Sequence, residues 1–179
     1  MNIHPLLVHF PIGFLVAYSV LEIGTYIWPM LRRQSWVFPV KAFLLIVGAL
    51  AALAALVTGN IAKGAFGTTD LQYPVIRVHE SFAIATTILY CILAAAYLVR
   101  IFDKNGWGDR MVGTSSFLSG IWNFKKRFWN LVLDTWLLPF LALFALIGMT
   151  VTGALGAAVI YGPNIDPIVS SIYHLFWVQ

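Results

Sequence analysis

Charge is what this chain has least of. Its 179 residues include 11 Lys or Arg and 7 Asp or Glu, so charged side chains form 10% of the sequence against 60% hydrophobic. A soluble domain carries about 25% charged residues, and a mean hydropathy of +0.86 excludes that class. Cysteine is nearly absent as well. The single Cys91 rules out an internal disulfide, a Cys-pair metal site and a covalently attached haem. No basic run precedes the first apolar stretch and no small-residue cleavage site follows it, so that stretch reads as a retained helix rather than a signal peptide.

What the chain has is apolar length. Four charge-poor stretches, about 5–28, 38–62, 75–102 and 135–161, reach the roughly 20 residues that a membrane-crossing helix needs. Lipid offers no partner for an open backbone group, so these stretches are expected to be helices. The expected fold is all-α: an integral membrane four-helix bundle forming one domain over residues 1–179. Residues 115–133, with Trp122, Phe124, Phe128 and Trp129 interleaved with Lys125, Lys126 and Arg127, read as an amphipathic helix lying in one membrane interface against anionic lipid. The tail 162–179 has Asn164 or Asp166 as a cap and Pro167 near a helix start. It reads as a short helix on the opposite surface that can fold His174 back over the bundle.

Basic residues set the orientation. Arg32, Arg33, Lys41, Arg100, Lys104, Arg110, Lys125, Lys126 and Arg127 fall on one side, and only Lys63 and Arg77 on the side that carries both termini. The positive-inside rule then places both termini in the periplasm or outside the cell, in a bacterial inner membrane. The net charge of +4 belongs to the headgroup-facing side and gives no support to nucleic-acid binding.

All four histidines fall on the outer side: His4 and His9 at the start of span one, His79 at the start of span three, His174 in the tail. Histidines at an interface also cap and snorkel, which is the plainer explanation of each one singly. An internal repeat favours the functional one. "PLLVHFPIGFL" resembles "PVIRVHESFAI", and spans two and four both end in Val-Thr-Gly, at Val57-Thr58-Gly59 and Val151-Thr152-Gly153. The chain thus reads as two parallel hairpins related by an axis along the membrane normal. The repeat puts His9 and His79 at one depth, with Gly13 and Ala83 one turn deeper and Gly59 and Gly153 on the other two helices. Two histidines facing each other over small residues suit the axial positions of a b-type haem. Arg77 and Lys63, the only outer cations, suit its propionates, although both also serve as ordinary interfacial anchors. His4 and His174 are weaker ligand candidates.

A zinc or copper site gathering His4, His9, His79 and His174, with Asp70 or Glu80 assisting, is the nearest competitor, but no ligand-spacing motif marks it. His4 and His9 stand five residues apart, about 140° around a helix, and do not share a face. Glu22 lies inside span one and is a functional candidate by location, with Thr25, Tyr26 or Arg32 available to satisfy it. Glu80 either complements the helix macrodipole or accepts a proton from a quinol.

The opening "HPLLVHFPIG" resembles the His-Pro-x-x-Val-His-Phe-Pro-Ile signature of a bacterial family of predicted four-helix membrane proteins, domain of unknown function 2231. That resemblance implies an inner-membrane protein with four helices and implies no activity. By analogy, four-helix membrane cytochromes b share the layout, but their diheme forms need histidines near both faces and this chain has them near one. The reading from the residues is an electron-transfer subunit rather than a complete enzyme. It passes electrons between the quinone pool and a periplasmic redox partner at an outer haem b, within a larger respiratory assembly. A cofactor-free structural or assembly subunit is the alternative, and an outer-side metal-binding membrane protein the second. Cysteine introduced at Ser115 should react only with reagent on the cytoplasmic side, and cysteine at Ser170 only from outside. The reverse pattern would invert the topology and move every histidine to the other face.

Overall fold

A computed structural model describes residues 3–113 and 115–177. Among these the chain is helical throughout its regular structure, and four stretches are long and apolar enough to cross a membrane: His4–Ile27, Val37–Lys63, Tyr73–Lys104 and Leu137–Tyr161. The first comprises α1 (His4–Leu7) and α2 (His9–Ile27) with a slack turn at Val8. It stops at Trp28, which is extended because Pro29 follows. The one-turn helix α3 (Pro29–Arg32) then leads to α4 (Val37–Lys63). The 32-residue α5 (Tyr73–Lys104) turns at Gly106, whose φ of +64° suits glycine, into α6 (Trp107–Val112).

Ser115 caps α7 (Ser116–Asp134), the expected interfacial helix. Some of its basic and aromatic groups turn inward rather than to lipid. Lys126 pairs with Asp103 and Asp109, and Trp122 Nε1 donates to Asp109. The hydrogen bond to Asp109, and then Asp103, holds the Lys126 ammonium above the ordinary lysine range. Lys125, Arg127, Phe117 and Phe124 remain exposed. Arg100 grips Asp134 through two hydrogen bonds of 2.9 Å each, fixing the end of α7 to α5. After α8 (Leu137–Tyr161), Asp166 accepts from the amides of Ile168 and Val169 and starts α9 (Pro167–Phe176), as the sequence predicts.

The four long helices pack in a ring, α2 on α4, α4 on α5, α5 on α8 and α8 on α2. The two hairpins therefore lie side by side, with α2 diagonal to α5 and α4 diagonal to α8. Lipid removes most of the hydrophobic drive between helices, so close approach through small residues does that work. Ala42, Ala49, Ala52 and Ala55 of α4 and Ala142, Ala145, Ala154 and Ala158 of α8 are buried. Gly48 seats Leu15 of α2, and Gly148 seats Thr86 of α5, so closely that a Cβ at either glycine would collide with the seated side chain. Large apolar residues such as Leu50, Val57, Phe144 and Ile147 point outward to lipid.

At the end of the bundle away from the termini, Glu22 is buried and fully engaged. Lys41 Nζ donates to its Oε1 at 2.9 Å and Tyr97 OH to its Oε2, while Lys41 also reaches Thr25 Oγ1 at 3.3 Å. The partner is thus Lys41 rather than Arg32, which lies 3.9 Å from Asp134, or Tyr26, which is exposed. Breaking a buried pair from one side strands a charge at about 3–5 kcal/mol, whereas replacing both members is often neutral. Lys41→Met alone should therefore lower stability in detergent by about that much. Adding Glu22→Leu should restore most of it in the same thermal unfolding measurement, and two additive losses would contradict the pairing.

Candidate functional site

The end that carries the termini holds the histidines, and their environments differ. His4, the first residue of α1, lies against the last turns of α4 with Nδ1 3.1 Å from Thr58 Oγ1. The Thr58 hydroxyl donates to the carbonyls of Ala54 and Ala55, so its oxygen accepts from His4 and the ring proton is assigned to Nδ1. His79, in the second turn of α5, donates from Nδ1 to the Thr152 carbonyl of α8 at 2.9 Å. Each ring is seated on a glycine. A Cβ on Gly59 would come within 3.0 Å of His4 Cε1, and one on Gly156 within 3.1 Å of His79 Cε1.

His4 and His79 are thus the related pair. Each belongs to one of two diagonal spans and each is held by the Thr of a Val-Thr-Gly segment on the neighbouring helix. The two are close enough for the charge on one to act on the other. With Nδ1–H donated, the lone pair of each ring belongs to Nε2. Imidazoles that bind metals are oriented in this way, by a hydrogen bond from the nitrogen opposite the metal.

His9 is exposed on the outside of α2, its Nδ1 2.7 Å from the carbonyl of Pro5. The structure does not bring it to His79 as the repeat implies, and the cause is one residue. Four residues separate Pro5 from His9 and five separate Pro74 from His79, and one residue turns a helix by 100°. Gly13 shares the outward face of His9 and, like Gly153, has nothing within 4 Å of the Cβ position, while Ala83 is half-buried. Of the four small residues expected beneath the histidines, Gly59 alone forms a seat. Gly156 is the seat that sequence reasoning missed. Its signal is its position one turn beyond Thr152, on the same helix face.

Lys63 and Glu80 form a 2.5 Å ion pair that joins the end of α4 to the start of α5. Arg77 is exposed and makes no ion pair among the described residues. His174 is exposed too, with Nδ1 3.4 Å from the Trp177 carbonyl. Its helix α9 does fold back: Val169 is buried beside Val75, Leu155 and Ala158, and the Phe176 ring packs edge-on to Phe82 at 5.4 Å. Among the described residues no three His, Cys, Asp or Glu side chains gather, so the four-histidine metal site has no ligand set.

The model of the family described as "Predicted membrane protein (DUF2231)" matches residues 1–166. No curated protein and no solved structure matches the chain.

In nitrogen-15 spectra of histidine-labelled protein, His4 and His79 should both carry the proton on Nδ1. Thr58→Val should weaken that preference at His4 alone and lower stability by about 0.5–1.5 kcal/mol, the value of one ordinary hydrogen bond. Protonation on Nε2 at both rings would remove the basis of the pairing.

Proposed function

The chain belongs to this family of predicted membrane proteins, and from that premise we propose that it is a cytochrome-b-like electron-transfer subunit. Its haem b would be held between His4 and His79 at the end of the bundle that carries the termini. The asymmetry of Lys and Arg supports putting that end in the periplasm, with the bundle in the bacterial inner membrane. Electrons would pass there between quinol in the bilayer and a periplasmic redox partner, within a larger respiratory assembly.

The observation that carries this reading is the matched commitment of two Nδ1 atoms. Thr58 and Thr152 fix both rings on diagonal spans, and Gly59 and Gly156 let the rings lie against helix backbone. The exchange of His4 for His9 in the axial pair follows from the faces those residues occupy. Of the two outer cations, Lys63 is paired with Glu80, and Arg77 is exposed two residues before His79. A bis-imidazole haem supplies one-electron chemistry at iron. The chain's own residues orient the rings, exclude water through the covering helix α9, and set the local charge.

Protein purified from haem-replete cells should show a Soret band and the spectrum of six-coordinate low-spin b-haem. His4→Ala and His79→Ala should each abolish the low-spin form, while His9→Ala and His174→Ala should retain most of it. Loss at His9 with retention at His4 would restore the pair implied by the sequence repeat. Wild-type protein with no Soret band would leave the cofactor-free structural subunit in its place.

A further inference from the structure

Tyr18 has the unusual position. Its side chain is fully buried in the middle of the bundle, and its hydroxyl is the one buried side-chain polar atom among the described residues that meets no hydrogen-bond partner. It is not isolated. The Tyr18 ring stands edge-on to Tyr97 at 5.9 Å and to Tyr90 at 6.4 Å, and its hydroxyl lies beside Glu22 and Tyr97. Tyr97 donates to Glu22, and the Tyr90 hydroxyl shares a 2.9 Å hydrogen bond with Ser19. These contacts cross the diagonal between α2 and α5, so the hydroxyls stand on the bundle axis.

Thr86, Tyr90 and Tyr97 are spaced by four and seven residues along α5, which puts them within about 40° of one line down the helix, and all three are buried, with Thr86 resting on Gly148 of α8. At the far end Lys41 closes the row against Glu22. Lys104 lies 4.2 Å from the centre of the Phe38 ring, which stacks on Tyr97. The titratable groups that face Glu22 are Lys41 from α4, Tyr97 from α5 and Tyr18 from α2 itself. The neighbouring α8 has none between Leu137 and Ile160.

A buried hydroxyl with no partner costs stability, and acid and hydroxyl chains inside membrane helices are the usual material of proton relays. We propose that the bundle conducts protons along its axis, with Glu22 as the acid that is loaded and discharged and Tyr18 as the hydroxyl that passes the proton on. In each cycle the Glu22 carboxylate takes a proton from one side and releases it to the other, and each hydroxyl gives one proton up while receiving another. No bond between heavy atoms changes and no oxidant or reductant is needed. The proposal goes beyond the haem reading and does not depend on it.

The test uses the full chain in liposomes that enclose a pH-sensitive dye, with a potassium diffusion potential to drive protons inward. Wild-type protein should acidify the lumen well above protein-free vesicles. Glu22→Gln combined with Lys41→Met, so that no buried charge is left without its partner, should reduce the flux at least ten-fold. Tyr18→Phe should reduce it several-fold while leaving thermal stability equal or higher, since the buried hydroxyl it removes meets no hydrogen-bond partner at ordinary geometry. That combination separates a relay role from a structural one. Wild-type flux no greater than in empty vesicles would overturn the proposal, as would wild-type flux in a folded Tyr18→Phe protein. Neither result bears on the Soret band, so the two readings fail independently.

Discussion

Everything in this bundle answers to one constraint: inside lipid, a polar side chain must find its partner within the chain. The Glu22 carboxylate shows how strictly it is met. Both oxygens are occupied, one by Lys41 from the adjacent helix and one by Tyr97 from across the axis. The charge pair holds α2 to α4 within the first hairpin, while the tyrosine holds the first hairpin to the second. Such a pair is weak evidence for net stability. Its clearer effect is on register, because a slide of one residue along any of the three helices would break it.

The two ends of the bundle have different chemistry, and the repeat explains part of the difference. At the terminal end the halves repeat each other: a histidine on the leading helix, a threonine and a glycine on the following one. At the far end they do not. Glu22 and Lys41 both belong to the first hairpin, and the second contributes Tyr97 and the α7 strap with its Arg100–Asp134 clamp. The repeated end is organised around two imidazoles, each tied through Nδ1 to a threonine of the neighbouring helix. The asymmetric end is organised around a single acid.

Much of this was legible before any coordinates. Apolar length gave the four spans to within a few residues, and Asp166-Pro167 gave the start of the tail helix, because those signals are local. The face on which each histidine sits was not legible. The repeat matches in content but differs by one residue between proline and histidine, and a helix converts that difference into a third of a turn. The partner of Glu22 was missed for a related reason. Lys41 counts in the sequence only among the cations of one membrane face, although it lies inside the stretch 38–62, and α4 carries it one turn in from Val37. A cation at that depth calls for an acid at the same height, and Glu22 was the only acid in the spans' interior. The hydroxyl of Tyr18 had no sequence signal, since a tyrosine in a membrane helix is expected near its ends.

Gly48 and Gly148 have a mechanical meaning. Each lets a side chain of the partner helix rest directly on backbone, so α2 with α4, and α5 with α8, are clasped at one height with no flexible side chain between them to absorb a shift. A hairpin built that way behaves as a stiff plank. Any relative displacement in this protein then falls on the seam between the two planks. That seam is spanned by the hydrogen bonds from Tyr97 to Glu22 and between Tyr90 and Ser19. Strain applied at one edge of such a seam is transmitted to the other as leverage, without either plank having to bend.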